Sequence, residues 1–364
     1  MIKSCYIHVP FCKNICSYCD FCKLLYNKSF VNMYISKLEE EIKDLYKGEI
    51  LSTIYIGGGT PSCLDINELE FLFKVVSSLK MKDNYEFTME CNFDSITKEK
   101  LELFKKNGVN RLSFGIESIN KNNLAFLDRY ESKEKIINTI NLAKSLGFNN
   151  INVDLMYAIP NESMDTLKND IDFILSLDVE HISTYSLIIE EHTRLFVNKV
   201  NYIDEELDFK MYEYICKVLK ENGYTHYEIS NFSKEGFQSR HNMCYWKNNE
   251  YYGFGLGAAS YIADYRINNT RSITKYLNGS FVKEKEHLNM KDKKEYEIIL
   301  GLRLINGINK DIFYQKYGIK LNEYIDYKDL VKNSLLKEND SFLYIPENKL
   351  YISNEILVNL LNRI

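Results

Sequence analysis

The sequence predicts an α/β protein whose parallel sheet is either a full or partial barrel or an open doubly wound sheet. About six strand–helix units with short connections follow one another in the first half of the chain, and such alternation requires right-handed crossovers between parallel strands. Glycines and acidic residues also stand at the ends of several expected strands. A barrel keeps its chemistry at the carboxyl ends of its strands, so this placement favours one shared mouth on a full or partial barrel.

Apolar runs and turn residues set the expected elements of this first half. Strands are expected at Cys5–Val9, Leu51–Ile56, Tyr85–Glu90, Arg111–Ile116, Asn152–Tyr157 and His181–Ile188. Apolar residues at helical spacing predict helices over Val31–Leu45, Asp65–Leu79, Thr97–Lys106, Ser132–Leu146 and Ser163–Leu177. Asp65 suits the N-cap position of its helix, because its carboxylate can accept hydrogen bonds from the first free N–H groups.

The regular alternation of strand and helix patterns ends after about residue 195. This change predicts three regions: 1–200, 201–285 and 286–364. The middle region is an extension of the sheet, with a helix over Glu205–Asn222 and a glycine-rich stretch at Tyr252–Ser260. The last region is α-rich and winged-helix-like. Its expected elements are helices near Lys294–Arg303 and Ile312–Tyr317, a hairpin near Phe342–Ile352 and a helix from Asn354.

Composition excludes several classes of protein. Of the 364 residues, 45% are hydrophobic and 27% are charged, which is a globular balance with ample core material. The net charge of −5 offers no general attraction for nucleic acid or an anionic membrane, so no nucleic-acid partner is expected. The start of the chain has no signal-peptide pattern, and no apolar run reaches the length of a membrane span. We therefore expect a cytoplasmic protein with reduced thiols.

The cysteines are concentrated in one short segment. Four of the nine lie within residues 12–22, and Cys12, Cys16 and Cys19 have the spacing CxxxCxxC directly after a strand. Three such thiolates can bind three irons of one [4Fe–4S] cubane and leave the fourth iron open to another ligand. A structural zinc site completed by Cys22 is the alternative, although zinc sites usually place two CxxC pairs further apart.

An ordered series of motifs resembles one known family over about residues 1–260. The motifs are YIHVPFC at 6–12, YCDF at 18–21, GGGTP at 57–61, RLSFGIES at 111–118, DLMY at 154–157, HIS at 181–183, YEISN at 227–231, HNMCYW at 241–246 and GLG at 255–257. They look like the coproporphyrinogen dehydrogenase (HemN) superfamily of radical S-adenosylmethionine (SAM) proteins, and within it the branch called heme chaperone HemW. The resemblance implies a partial (β/α)6 barrel of the TIM type with a winged-helix-like C-terminal region.

The resemblance also implies cofactors and the residues that hold them. Cys12, Cys16 and Cys19 would bind the [4Fe–4S] cluster, and SAM would complete its fourth iron. SAM contacts are implied for Tyr6, Gly58, Gly59, Thr60, Glu90, Glu117, Arg129 and Asp154. Two positions depart from the family pattern: Glu117 stands where Gln is usual, and Glu131 stands where His is usual. The first change removes an amide donor and puts any hydrogen bond it gave in doubt.

The segment His241-Asn-Met-Cys-Tyr-Trp246 resembles the HNxxYW motif of the HemW branch, which implies haem binding at His241. A neutral imidazole is a common ligand of haem iron, and Tyr245 and Trp246 offer flat apolar surface. Cys244 is a further soft donor. The alternative is a structural histidine whose neighbouring aromatic residues belong to the core.

Two functions follow from the resemblance. The first is a haem-binding protein that delivers haem to acceptor proteins; the second is an oxygen-independent coproporphyrinogen III dehydrogenase that forms protoporphyrinogen IX by radical decarboxylation. The short segment before Tyr6, Phe21 in place of a cysteine and the HNxxYW motif favour the first. The implied partners are haem or porphyrin, haem-acceptor proteins and reduced flavodoxin or ferredoxin as electron donor, and the chain could form a homodimer. Whether it is an enzyme stays open.

Overall fold

Strand and helix alternate through the first half of the computed structural model, which describes residues 2–363. The strands of this half are β1 (Ser4–Val9), β2 (Phe11–Cys12), β3 (Leu24–Leu25), β4 (Leu51–Gly58), β5 (Met81–Cys91), β6 (Arg111–Glu117), β7 (Ile151–Tyr157) and β8 (His181–Ser186). The helices are α1 (Lys28–Leu45), α2 (Ile66–Val76), α3 (Lys98–Lys106), α4 (Lys121–Leu127), α5 (Lys133–Ser145), α6 (Met164–Ser176) and α7 (Arg194–Val197), with a 3₁₀ turn at Pro61–Cys63.

The second half has shorter elements. Its strands are β9 (Thr225–Glu228), β10 (Asn231–Ser233), β11 (Tyr252–Phe254), β12 (Ala259–Ile262), β13 (Tyr265–Asn269), β14 (Val282–His287), β15 (Ile308–Asn309), β16 (Lys337–Glu338) and β17 (Phe342–Tyr344). Its helices are α8 (Glu205–Glu221), α9 (Arg240–Trp246), α10 (Ile273–Leu277), α11 (Met290–Gly301), α12 (Lys310–Tyr317), α13 (Leu321–Tyr324), α14 (Lys328–Lys332) and α15 (Ser353–Leu361), with a 3₁₀ turn at Glu347–Ile352.

A nine-stranded sheet forms the centre of the molecule in the order β11-β1-β4-β5-β6-β7-β8-β10-β9. The seven strands from β11 to β8 are parallel, and β10 and β9 add an antiparallel edge. No pairing within residues 2–363 joins the two edge strands β11 and β9. The sheet is therefore a partial barrel, as expected, and its parallel strands bring their carboxyl ends to one side.

Local sequence explains where the covering helices begin. Asp65 caps α2 by accepting a hydrogen bond from the Glu68 N–H at 2.9 Å, while the Glu68 carboxylate accepts from the Asp65 N–H at 2.8 Å. This reciprocal capping box satisfies two N–H groups that would otherwise lack partners. Thr97 and Ser163 cap α3 and α6 with their hydroxyls. The apolar faces of these helices pack on the sheet in one continuous core.

The expected strands and helices of the first half all form. The largest difference is at β5, which begins at Met81 instead of Tyr85 because its first residues pair with the start of β4. In the last region the hairpin lies earlier than expected: β16 pairs with β17, and Glu347–Ile352 is a 3₁₀ turn. The described helices include none that is both long and apolar enough to cross a bilayer.

Candidate functional site

The cysteine loop begins where the first strand ends. β1 is followed by β2, which pairs in parallel with β3 through Phe11 with Leu24 and Cys12 with Leu25. This pairing closes the loop of residues 13–23 at its base. Cys12 is buried, whereas Cys16 and Cys19 are partly exposed. Burial raises the pKa of the Cys12 thiol to about 12, against the opposing effect of a hydrogen bond from Thr60.

Contacts from distant elements hold the loop in place. The Ser17 N–H donates to the Leu127 carbonyl at 3.2 Å, and the Ser17 hydroxyl donates to the Phe126 carbonyl at 2.8 Å. On the other side the Leu195 N–H donates to the Ser17 carbonyl at 3.3 Å. The loop is thus fixed to the end of α4 and to α7, so the positions of its cysteines do not depend on the loop alone.

Behind the loop, Tyr6 and His8 form a short hydrogen-bonded chain. The Tyr6 hydroxyl lies 2.9 Å from His8 Nδ1, and His8 Nε2 lies 2.6 Å from the Cys22 carbonyl. Burial lowers the pKa of His8 to about 4, so the ring is neutral at pH 7. A neutral ring that donates from Nε2 to the carbonyl accepts the Tyr6 proton at Nδ1. Tyr6 therefore supports the loop from behind.

A cavity of about 140 Å³ opens beside the cysteine loop and gathers most of the residues that the sequence singled out. Those that line it are Cys12, Cys16, Cys19, Gly58, Gly59, Thr60, Glu90, Glu117, Arg129 and Asp154. Tyr6 and His241 are not among its lining residues. Sequence reasoning did not single out Ser113 and Asn92, which also line it; Ser113 lies within one of the quoted motifs.

The glycine turn at residues 57–59 leaves space that any larger residue would fill. A Cβ atom on Gly59 would lie 2.7 Å from the Phe11 carbonyl oxygen, and one on Gly57 would lie 2.7 Å from the Glu90 carboxylate. Gly58 has a φ of +117°, a conformation that favours glycine. The turn therefore brings bare backbone against the cysteine loop, while the Gly58 N–H donates to Glu90 and the Gly59 N–H donates to the Val9 carbonyl.

Glu90 is held at the carboxyl end of β5 by two donors. The Gly58 N–H donates to Oε2 at 2.9 Å and the Tyr55 hydroxyl donates to Oε1 at 2.7 Å. Burial raises the pKa of Glu90 to about 7, although both hydrogen bonds oppose the shift. The carboxyl thus stands near its ionisation point at neutral pH, where a cationic ligand would favour the charged form.

Arg129 forms the centre of a buried charge cluster next to Cys16. Its guanidinium donates to the Gly115 carbonyl at 2.6 Å and pairs with Glu131 at 3.0 Å and with Glu117 at 3.7 Å. It also lies 3.9 Å from Cys16 Sγ. Arg129 Nε is buried and has no hydrogen-bond partner among the described residues. A carboxylate ligand in the cavity would fit this orphaned donor.

Glu117 occupies a strained position at the end of β6. Its φ is +62°, and its Oε1 accepts a hydrogen bond from the Tyr18 hydroxyl at 3.1 Å. Burial raises the pKa of Glu117 to about 7, and the nearby Arg129 opposes the shift. The two departures from the family pattern, Glu117 and Glu131, therefore sit on either side of one guanidinium, which accounts for carboxylates at both positions.

Asp154 belongs to a polar network inside the sheet. Asn152 Nδ2 donates to Asp154 Oδ1 at 2.7 Å and to Ser113 Oγ at 2.8 Å, while Asn152 Oδ1 lies 2.5 Å from His181 Nδ1. Burial raises the pKa of Asp154. Asp154, Asn152, Ser113 and Arg111 line a wider cavity of about 580 Å³, which shares several lining residues with the first one.

The thiols do not form a ready site for a single metal ion. Residues 2–363 contain no group of three or more His, Cys, Asp or Glu side chains placed to hold one ion. A cubane takes one thiolate per iron, so its three protein ligands need not converge on one point. The Cys22 thiol is buried against the Arg271 carbonyl at 3.9 Å and is not a lining residue of the cavity, which counts against a four-cysteine zinc site.

His241 lies at the other end of the sheet, away from the cysteine loop. It sits on α9 with its ring buried, Nδ1 2.9 Å from the Thr53 hydroxyl and Nε2 2.8 Å from the Tyr245 hydroxyl. Burial lowers the pKa of His241 to about 3. Both ring nitrogens are thus occupied, and the imidazole has the surroundings of a structural histidine in this conformation.

The fold and the cysteine loop define a class of protein. The model of the Radical SAM superfamily matches residues 6–174, which include the loop and the strands that end at the cavity. Members of this superfamily hold a [4Fe–4S] cluster and SAM.

Relatives identify the branch of this superfamily. The chain is 38% identical to heme chaperone HemW of Lactococcus lactis, with 90% of both chains covered, and 36% identical to that of Bacillus subtilis, with 98% of both covered. The chain therefore belongs to the HemW family. Coproporphyrinogen III oxidase (HemN) of Escherichia coli shares the fold, with a TM-score of 0.86 over 98% of this chain and 89% of that one, at 19% identity.

Proposed function

We propose that this chain binds haem and passes it to acceptor proteins. We also propose that it carries a [4Fe–4S] cluster and SAM at the mouth of the sheet, which is the side where the carboxyl ends of the parallel strands meet the cysteine loop. The observation that carries the haem role is the similarity to proteins named heme chaperone HemW at 36–38% identity over at least nine-tenths of each chain. Similarity of that extent covers the cysteine loop, the cavity beside it and the HNxxYW helix together.

The donor set of the mouth suits the cluster and SAM. Cys12, Cys16 and Cys19 supply three thiolates from one anchored loop, and the cavity beside them leaves room for a fourth ligand. When bound, the cluster supplies single-electron reduction to the sulfonium of SAM. Desolvation keeps the free Cys12 thiol protonated, so binding the cluster must release its proton.

The chain's own residues would then orient SAM. Arg129, whose Nε lacks a partner, would bind the carboxylate of the methionine part, and Glu90 would accept from its ammonium or from ribose hydroxyls. The bare backbone of Gly58 and Gly59 lets the ligand approach closely. Asp154 offers a second carboxylate across the cavity. Three carboxylates around one cavity suit a ligand that carries a positive sulfonium and an ammonium group.

The proposal includes reduced flavodoxin or ferredoxin as the electron donor and a homodimer as the assembly. Approach of a reductant is supported by the position of the cysteine loop at the surface, where the Phe21 side chain is 63% exposed. The dimer rests on the family resemblance, and sedimentation velocity over a range of concentrations would measure it directly.

Haem transfer tests the proposed function. Anaerobically reconstituted protein should develop a Soret band when hemin is added. When this protein is mixed with apomyoglobin, its Soret band should be replaced by that of holomyoglobin. Transfer faster than from an equal concentration of hemin loaded on serum albumin would support delivery. No Soret band at saturating hemin would contradict the proposal.

The same preparation distinguishes the chaperone function from the alternative, coproporphyrinogen dehydrogenase activity. Incubation with coproporphyrinogen III, a strong reductant and SAM without oxygen should leave the porphyrinogen unchanged. Catalytic formation of protoporphyrinogen IX would overturn the chaperone function. Phe21 at the position where the dehydrogenase pattern has a cysteine is the feature that supports the expected result.

A further inference from the structure

A closed ring of hydrogen bonds lies behind the glycine turn. The Asn92 N–H donates to Ser62 Oγ at 3.0 Å, and Ser95 Oγ donates to the Asn92 carbonyl at 2.9 Å. The Ser62 and Ser95 hydroxyls lie 2.6 Å apart, and because Ser95 gives its proton to Asn92, Ser62 is the donor between them. Each hydroxyl thus donates once and accepts once, which holds Asn92 in one orientation.

From this ring, Asn92 reaches a cysteine of the loop through Thr60. Asn92 Nδ2 donates to Thr60 Oγ1 at 3.2 Å, and Thr60 Oγ1 donates to Cys12 Sγ at 3.8 Å. A threonine hydroxyl has one proton, so accepting from the amide leaves that proton for the sulfur. All three residues line the cavity beside the cysteine loop. The family resemblance assigns Thr60 to SAM, whereas these hydrogen bonds direct its hydroxyl to Cys12.

A buried lysine closes the other side of the ring. Lys100 on α3 is 8% exposed, and its ammonium donates to the Ser62 carbonyl at 2.7 Å and to the Ser95 carbonyl at 3.0 Å. It forms no ion pair with any residue in the range 2–363. Burial lowers its pKa, because the two carbonyls replace only part of the water it has lost. A buried cation without a carboxylate partner suits an anion held nearby.

The [4Fe–4S] cluster is such an anion. A cubane held by three thiolates is negatively charged, and reduction adds a further negative charge, so hydrogen bonds to its sulfur ligands and nearby cations favour the reduced form. We propose that Asn92 and Lys100 are positioning residues for the cluster of this chain. Asn92 directs the Thr60 hydroxyl to the Cys12 thiolate, while Lys100 holds the ring and adds a buried positive charge. Together they raise the reduction potential of the cluster. This inference rests on the proposed function, which supplies the cluster.

Removing the Thr60 hydroxyl tests the contact with Cys12. The midpoint potential is measured without SAM, from the electron paramagnetic resonance signal of the reduced cluster. In Thr60→Val the reduction equilibrium should shift about ten-fold toward the oxidised form, which for one electron lowers the midpoint by about 59 mV. Thr60→Ser, which keeps the hydroxyl, should restore the midpoint of the parent.

Thr88→Val is the matched control for this substitution. The Thr88 hydroxyl is buried, has no hydrogen-bond partner among the described residues and lines neither cavity at the mouth. Its loss should leave the midpoint unchanged. A midpoint that falls equally in Thr88→Val, or that falls in Thr60→Ser as far as in Thr60→Val, would overturn the role of the Thr60 hydroxyl.

A double variant separates positioning from direct action. Asn92→Leu removes the amide donor and frees the Thr60 proton to turn away from Cys12, so the midpoint should fall about as far as in Thr60→Val. Thr60→Val/Asn92→Leu should fall no further than Thr60→Val alone, because Asn92 acts only through the hydroxyl. A further fall in the double variant would overturn the positioning role of Asn92.

Lys100→Met removes the buried charge. It should shift the reduction equilibrium about three-fold or more toward the oxidised form in both the parent and the Thr60→Val background, because a charge acts on the cluster through space. Lys105→Met, at an exposed lysine of the same helix, should leave the midpoint unchanged. An unchanged midpoint in folded Lys100→Met would overturn the role of its charge. Should Lys100→Met fail to fold, the Thr60 and Asn92 variants decide the inference by themselves.

Iron and sulfide analysis of each preparation separates this inference from the proposed function. A parent protein that holds no [4Fe–4S] cluster contradicts both. A parent that holds the cluster, with the same midpoint in Thr60→Val, overturns this inference alone. Thermal unfolding of each variant shows whether a shifted midpoint belongs to a folded protein, and only folded variants with equal iron content are compared.

Discussion

The two ends of the central sheet carry a different balance of charged side chains. The mouth, at the carboxyl ends of the strands, presents the carboxyl groups of Glu90, Glu117 and Asp154 around the Arg129 guanidinium, whereas the base, where the parallel strands begin, presents lysines and Arg240. A sulfonium ligand suits the first environment and a dicarboxylate suits the second. The contrast teaches that the two ends of one sheet can differ in the chemistry of the ligands they suit.

The two ends also differ in construction. At the mouth, Glu90 and Glu117 lie at the ends of their strands, and hydrogen bonds such as those of Ser17 fix the cysteine loop. At the base, Lys3, Lys82 and Lys247 come from distant parts of the chain and are exposed side chains beside a cavity of about 630 Å³. The mouth is therefore held in place by contacts within the protein, whereas the charged side chains of the base extend into solvent.

A layer of aromatic rings lies between the two ends. The Tyr55 hydroxyl donates to Glu90 at the mouth, while its ring centroid lies 5.2 Å from that of His241. His241 in turn meets Thr53, which lines the cavity at the base. Variants within this layer therefore test whether the two ends of the sheet act independently.

The largest expected effect is the loss of iron when the loop cysteines are changed. The triple variant Cys12→Ser/Cys16→Ser/Cys19→Ser should fall from about four irons per chain to almost none, because a cubane needs its thiolates. Affinity for protoporphyrin should not change. Iron and sulfide assays of anaerobically prepared protein, with the porphyrin titration alongside, measure both.

Cys22→Ser is the matched control for this experiment, because the Cys22 thiol contacts the Arg271 carbonyl away from the cavity. It should retain the iron. Zinc in place of iron in the parent protein, or iron that persists in the triple variant, would contradict the cluster assignment. Loss of porphyrin binding together with the iron would contradict the independence of the cluster and the porphyrin site.

Much of the mouth could be predicted because parallel strands align their carboxyl ends. Once Gly58, Glu90 and Glu117 were recognised as strand ends, their meeting beside the cysteine loop followed from the fold class, and the cavity contains all three. The family resemblance added Arg129, which lies in a loop after α4 and has no periodic signal of its own.

Other features could not be predicted because their signals are not local. Asn152 and Arg111 lie within strands and become site residues only through the inward curvature of the sheet. The lysines at the base of the sheet resemble ordinary solvated residues until the fold assembles them. Strand β14 is exposed along its whole length and charged, so it lacks the alternation that indicates a strand.

The next largest effect should come from filling the glycine turn. Gly59→Ala places a Cβ atom 2.7 Å from the Phe11 carbonyl oxygen, which is backbone and cannot move aside without shifting the loop. We expect SAM affinity to fall at least ten-fold and unfolding free energy to fall by about 2 kcal/mol. Isothermal titration calorimetry and denaturant unfolding measure the two quantities.

Gly279→Ala serves as the comparison for that substitution. Gly279 has a φ of +79°, and a Cβ atom there meets nothing within 4 Å. Its cost should be about 1 kcal/mol of backbone strain, with SAM affinity unchanged. Equal SAM affinities for the two variants would show that the close approach of residue 59 does not shape the mouth.

A moderate effect is expected from pH at the mouth. Because the pKa of Glu90 is about 7, the carboxylate is mostly charged at pH 8 and mostly neutral at pH 6. A cationic ligand binds the charged form, so SAM affinity should fall as pH drops through 7, by up to about ten-fold per pH unit from this group. Calorimetric titration at pH 6, 7 and 8 measures the slope.

Glu90→Gln isolates the contribution of this carboxyl, since Glu117 also has a pKa of about 7. The variant should show weaker SAM binding at pH 8 and a shallower dependence on pH. Porphyrin binding should be the same in both proteins at each pH. A slope equal to that of the parent would assign the pH dependence to another group.

The smallest expected effect, and the one that probes the aromatic layer, comes from Tyr55→Phe. The substitution removes the 2.7 Å hydrogen bond to Glu90, which favours the charged carboxylate, and keeps the ring against His241. Without it the pKa of Glu90 should rise, moving the midpoint for SAM binding upward by about 0.5–1 pH unit. Tyr130→Phe, at a side chain that is 76% exposed, should leave the midpoint unchanged. Porphyrin affinity should be unaltered in both variants; if it falls in Tyr55→Phe, porphyrin binding is coupled to the mouth through this layer.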